Sequence, residues 1–132
     1  MDLILRHARL YGGRTVDIGI DGETIAVVQA SQLAATARQE IDVAGSLVLP
    51  AFVNAQLHAC KSFWRRLLTT LPPAQQALPR FQAAHFVKER YTADDVVARV
   101  DETIRLAIQH GTCAIRLFAD VDETSGLTAI EG

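Results

Sequence analysis

Pro50-Ala51-Phe52-Val53-Asn54-Ala55-Gln56-Leu57-His58 is the stretch from which the rest of the chain can be read. Ala51 to Ala55 is a short, largely apolar run, the pattern of a parallel strand covered on both faces. It carries Gln56, Leu57 and His58 to its carboxyl end. Beyond it, Lys61 to Leu68 has room for one or two helical turns. Leu71-Pro72-Pro73 and Pro79 then interrupt, so about twenty residues are expected to run over a surface.

Thr92 to Gln109 reads as a helix. Thr92 is a good N-cap, Asp94 and Asp95 complement the helix dipole in the first turn, and His110-Gly111 ends it. Val96, Val97, Val100, Ile104, Ala107 and Ile108 form one apolar stripe at helical spacing. Thr112 to Ala119 reads as a second strand, followed by Asp120-Val121-Asp122-Glu123. A further helix is expected between Thr124 or Ser125 and Gly132. Strand, helix and strand in this order form a βαβ unit, which expects a parallel sheet extending beyond it.

Upstream of Pro50 the pattern is β. Leu3, Leu5, Ala8 and Leu10 mark a strand over about Asp2 to Leu10. Val16, Ile18 and Ile20 alternate with Asp17, Gly19 and Asp21, as in a strand with one buried face. Asp21-Gly22 then predicts a hairpin in which both turn residues tolerate positive φ. Ile25, Val27 and Val28 begin the return strand, Ser31 to Arg38 is either loop or a short helical turn, and Ile41, Val43 and Leu47-Val48-Leu49 resume the β pattern. The expected fold class is therefore α/β with an N-terminal β unit, residues 1–50, followed by a strand-helix-strand portion, residues 51–132.

Composition narrows the function. The chain has 132 residues, 49% hydrophobic and 21% charged, which is the balance of a folded globular protein. Its formal net charge is −2 with charges scattered, so neither nucleic acid nor an anionic membrane is an expected partner. No apolar run is long enough to span a bilayer and no leader precedes the first strand, so the expected location is the cytoplasm. Cys60 and Cys113 make no CxxC pair and are read as buried, unreactive thiols. A nucleophilic role for Cys60 would need a basic partner, and the sequence shows none.

The strands of residues 2–29, then Ile41-Asp42-Val43-Ala44-Gly45 and Leu47-Val48-Leu49-Pro50-Ala51-Phe52-Val53-Asn54, resemble the N-terminal portion of the amidohydrolase superfamily. Lys61-Ser62-Phe63-Trp64, His110-Gly111-Thr112, Arg116 and Asp120-Val121-Asp122 are similar to its cytosine deaminase and N-isopropylammelide amidohydrolase branch. The resemblance implies a β-sandwich-like N-terminal part joined to the first βαβ of a (β/α)8 barrel. A complete barrel takes about 250 residues, so this chain is expected to hold about two of its eight strands and to be truncated relative to the barrel.

In that family the strand ending at His58 usually reads Asp-x-His-x-His, and both histidines bind a catalytic metal. The resemblance therefore implies a site for a divalent metal, zinc or iron, at His58 and Gln56. Here Gln56 stands where the first histidine is expected and Asn54 where the aspartate is. Cys60 precedes Lys61 in place of an aspartate, and Phe118 replaces a histidine often found in the second strand. A catalytic zinc needs about three protein ligands and an open position for water, whose pKa it lowers from ~16 towards ~7. One imidazole and one neutral amide fall short, so other segments would have to complete the site, and without them no cofactor is expected.

Lys61, Phe63, Trp64, Arg116 and Asp120 are the candidate substrate-binding residues. Phe63, Trp64 and Phe81 could line a pocket for a planar ring, or simply pack. Arg116 and Asp120 could reach the mouth of a site, or form a structural ion pair. No residue of the chain is assigned as catalytic.

Two function classes follow. One is the N-terminal part of a metal-dependent hydrolase acting on non-peptide C–N bonds of a cyclic amidine or an aminated pyrimidine or triazine, inactive as this chain alone, with a small heterocycle as its ligand. The other is a non-catalytic pseudoenzyme chain that binds or assembles with another protein or with itself to cover its strand edges. A third, an unrelated small α+β binding module, predicts a closed domain with no exposed sheet edge.

Overall fold

A computed structural model describes residues 1–132. The chain divides into two compact units, Met1–Pro50 and Ala51–Gly132.

The first unit is a single mixed sheet of five strands: β1 (Leu3–Leu10), β2 (Thr15–Asp21), β3 (Thr24–Gln29), β4 (Gln39–Asp42) and β5 (Leu47–Val48). Its order is β3-β2-β1-β4, with β1 antiparallel to β2 and parallel to both β4 and β5. One sheet stands where two sandwiched layers were expected, because β4 and β5 share one edge of β1 instead of starting a second layer: β4 pairs from Leu3 to Arg6, and β5 pairs at Arg9 and Leu10. The hairpin forms one residue later than expected. Asp21 pairs with Thr24, so Gly22 and Glu23 are the loop, and of these only Gly22 takes positive φ.

Ala8, Val16 and Ile18 form a buried core cluster, with Leu5, Leu10, Ile20, Val43 and Val48 packed against them, and Ile4 and Leu33 are buried as well. Strand β2 is covered on both faces, contrary to the one-sided reading of its alternation. Asp17 is only 4% exposed, and a Cβ on Gly19 would fall 2.5 Å from Met1 Sδ and 2.7 Å from Val27 Cγ1. The second face of β2 thus presents a polar and a small residue, which a hydrophobicity pattern scores as solvent-facing, and Met1, Val27 and Leu33 cover it at Gly19. Ser31 to Arg38 is irregular, and it is anchored where the Leu33 amide donates to Asp17 Oδ2 at 3.0 Å.

The second unit holds β6 (Phe52–Leu57) and β7 (Thr112–Leu117), paired in parallel as a two-stranded sheet. Between them run a 3-10 turn (Ala59–Lys61), α1 (Trp64–Leu68), α2 (Pro73–Gln76), α3 (Arg80–Lys88) and α4 (Ala93–Gln109); α5 (Thr128–Glu131) follows β7. The stretch expected to wander over a surface contains α3, nine residues long, which buries Ala83 and Val87. Pro79 does not break this helix but precedes its first residue, where a missing N–H costs nothing.

Helix α4 matches the expectation closely: the Thr92 side chain accepts from the Asp95 amide at 3.2 Å, and His110 is the C-cap. Its stripe is narrower than the spacing suggested. Val96 is fully buried, whereas Val97 and Ile108 are exposed. Strand β6 also departs from expectation, with Phe52 56% and Val53 69% exposed. It has one neighbour, β7, so the run that reads as doubly covered has too little sheet and helix around it to be covered. No helix is long and apolar enough to cross a membrane.

Candidate functional site

The carboxyl ends of β6 and β7 bring together residues that are far apart in sequence. His58 follows β6 directly, and Asp120 lies just past β7. Parallel pairing forces this meeting, because both strands end on the same side. The Phe118 amide donates to the Leu57 carbonyl at 2.9 Å, and the His58 and Phe118 rings stack with centroids 5.5 Å apart.

His58 Nδ1 lies 3.2 Å from Asp120 Oδ1. A carboxylate only accepts, so Nδ1 is the donor in this bond. The other oxygen, Oδ2, receives two ammonium groups, Lys61 Nζ at 2.6 Å and Lys88 Nζ at 3.1 Å. Lys88 also bonds Asp122, whose Oδ1 accepts from the Thr124 amide at 3.0 Å, the Ser125 amide at 2.9 Å and the Ser125 hydroxyl at 3.0 Å.

The electrostatics follow from this arrangement. Burial opposes the charged form of Lys88, but its bonds to Asp122 and Asp120 and their charges outweigh that cost, and its pKa is raised. Burial likewise works against the Asp120 carboxylate, and bonds from Lys61 and Lys88 reverse the balance and lower its pKa. The Lys88 bond, followed by the Ser125 amide, holds Asp122 well below the usual carboxylate range.

Arg99 sets the position of the turn that carries Lys61. It is 4% exposed on α4. Its Nη1 donates to the Cys60 carbonyl, while Nε and Nη2 reach Asp95 Oδ2 at 3.0 and 2.7 Å. The guanidinium lies 4.2 Å from the Tyr91 ring centroid. Burial raises the pKa of the Tyr91 phenol, against the pull of the Arg99 charge.

Of the residues singled out in the sequence, the structure joins His58, Lys61 and Asp120. Gln56 is exposed on β6, where its backbone N–H donates to Asn54 Oδ1 at 3.2 Å. Arg116 does not pair with Asp120; its guanidinium lies 5.0 Å from the Phe118 ring. Trp64 and Phe81 line a cavity, while Phe63 takes left-handed backbone and lies under Arg66, 4.3 Å from its ring centroid. Cys60 is buried as expected, but Cys113 is exposed on β7, which lacks a second neighbouring strand to cover it. Lys88, Asp122 and Arg99 are the members that the sequence reading missed. The acidic pair after β7 was visible, but Lys88 sits in the stretch read as an excursion over a surface, and Arg99 interrupts an apolar helix face.

These residues do not by themselves fit a divalent metal. No group of three or more His, Cys, Asp or Glu is close enough to hold one. Both Asp120 oxygens are already engaged, one by His58 and the other by two ammonium groups that would repel a second cation.

No family model matches the chain. It is 33% identical, over an alignment of 141 positions, to an N-isopropylammelide isopropyl amidohydrolase from Pseudomonas sp. (strain ADP), spanning 98% of this chain and 33% of that protein. The structure of a 5-methylcytosine deaminase from Klebsiella pneumoniae, liganded with 5-fluorocytosine, superposes with a TM-score of 0.68 and 23% identity over 97% of this chain and 31% of that one. An atrazine chlorohydrolase from Arthrobacter aurescens, complexed with zinc, gives a TM-score of 0.59 at 15% identity, covering 98% of this chain and 32% of that one. The chain thus spans about a third of the length of these relatives. In sequence and in fold it is similar to the N-terminal portion of amidohydrolases.

Proposed function

We propose, taking the amidohydrolase likeness as premise, that this chain is the N-terminal part of a hydrolase of non-peptide C–N bonds acting on an aminated triazine or pyrimidine, and that it turns over no substrate alone. In this reading β6, α4 and β7 form the first βαβ of a (β/α)8 barrel, whose chemistry gathers at the carboxyl ends of the strands. The observation that carries the reading is the meeting of His58 and Asp120 at those ends, 3.2 Å apart.

The chain's own residues then have limited roles. Asp120 orients the His58 imidazole so that Nε2 points away from the carboxylate. Lys61 and Lys88 hold Asp120 ionised, and Arg99 fixes the turn between His58 and Lys61. Arg116, Phe63 and Trp64 are the candidate contacts to a ring substrate. Metal ligands, and the group that protonates the leaving amine, would come from segments beyond these.

The test joins residues 1–132 to the remaining two thirds of the Pseudomonas relative and assays amine release from N-isopropylammelide, with zinc or iron supplied. The 132-residue chain alone is expected to retain no stoichiometric metal and to release no amine. The chimera carrying Gln56→His is expected to release it. A folded chimera of that kind that stays inert overturns the hydrolase reading, and turnover by the chain alone overturns its dependence on other segments.

A second reading is favoured by Gln56 itself together with the lysine-saturated Asp120: a non-catalytic chain that associates with another protein or a second copy. It predicts that the Gln56→His chimera is as inert as the unaltered one.

A further inference from the structure

A cavity of about 350 Å³ opens beside the Asp120 cluster, within the second unit. Three aromatic side chains, Trp64, Phe81 and Tyr91, and three cationic ones, Lys61, Arg80 and Lys88, line it. That volume lies at the small end of the range for ligand pockets. Aromatic walls favour a flat ring, which they contact face or edge at low entropic cost. Phe81 is 90% exposed although it belongs to the lining, so a large apolar surface stands uncovered at the rim.

The charges around the cavity do not cancel. Lys61 pairs with Asp120, and Lys88 pairs with Asp120 and Asp122. Three cations against these two carboxylates leave one positive charge in excess. The excess sits on Arg80, which has no carboxylate partner and whose guanidinium lies 5.9 Å from the Trp64 ring centroid. An unpaired guanidinium at the edge of an aromatic pocket offers a planar fork of donors to a carboxylate.

We propose that this cavity binds a flat aromatic monocarboxylate, its ring against Trp64 and Tyr91 and its carboxylate on Arg80. The cavity shares Trp64, Lys61 and Lys88 with the site of the hydrolase reading but does not rest on that reading, because carboxylate binding to the 132-residue chain and amine release by the chimera are read separately.

Trp64 is the only tryptophan in the chain, and its emission therefore reports this cavity and no other place. The experiment titrates the 132-residue chain with 4-nitrobenzoate, a quencher of indole emission, and with the neutral isostere 4-nitrobenzamide, following Trp64 fluorescence and checking the fold by circular dichroism. Saturable quenching is expected from both, with the carboxylate binding about tenfold more tightly, the size of one charge-assisted contact. Arg80→Gln is expected to bring the two affinities together while leaving nitrobenzamide unchanged, and Arg80→Glu to weaken nitrobenzoate further. Non-saturable quenching by nitrobenzoate in the folded chain overturns the proposal. So does equal affinity for the two probes, or a preference that survives Arg80→Gln.

Discussion

Asp17 shows how much one buried carboxylate can organise. It accepts from Arg6 Nη1 at 2.7 Å, from the His7 amide at 3.1 Å and from the Leu33 amide at 3.0 Å. Two of those donors are backbone groups without a ladder partner, so losing the acceptor would strand them. The Leu33 amide, with Arg6 next, lowers the Asp17 pKa from 3.8 to about 2. A carboxylate depressed in the folded state contributes stability that is present above its unfolded value and lost as pH falls through the folded one. Unfolding by urea should therefore show a loss of stability between pH 3.8 and about 2, and Asp17→Asn should flatten that acid limb while costing about 2 kcal/mol at neutral pH. At this scale the sequence was half legible. Asp17 reads as an ordinary solvent-facing position in an alternating strand, and only the fold reveals the loop and bulge that turn towards it. His58 and Asp120 were legible because they follow strand ends; Lys88 was not, because no local pattern ties it to them.

Elements were clearer than residues, since periodicity survives without knowledge of neighbours. Thr92 and the acidic first turn marked α4 to within a residue of its observed start, and Thr92→Ala should cost about 1 kcal/mol in thermal or urea unfolding. Strand β1 carries a subtler signal. Its apolar positions step from Leu3 and Leu5 to Ala8 and Leu10, a change from odd to even numbers. Along the ladder Leu5 faces Ile18 and Ala8 faces Val16, so β1 spends three residues where β2 spends two. The extra residue is a bulge at His7, whose φ of 56° is left-handed. The bulge lets Leu5, Ala8 and Leu10 share one core. The parity change was in the sequence, and a strict period of two would have predicted it as a break. For β6 the pattern misled in the other direction: an apolar run measures what a strand can bury, not whether partners are there to bury it.

At the scale of the whole molecule, the order of elements was legible and the degree of enclosure was not. Phe52, Val53 and Leu117 remain exposed on a sheet of two strands, which is the opposite of the closed domain required by an unrelated small binding module. Unpaired backbone along such edges is a template for association. Sedimentation velocity should show average mass rising with concentration, and Val53→Lys, which sets a charge on the strand, should reduce that rise. The two edges are not equivalent, because one belongs to β6 and the other to β7, and this fixes the stoichiometry that each kind of encounter allows. Where like edges meet across a two-fold axis, that joint closes on two copies and leaves the other kind of edge free on both. Where a β6 edge meets a β7 edge, one of each stays free at the ends, and nothing in the geometry of the joint limits the length of the array.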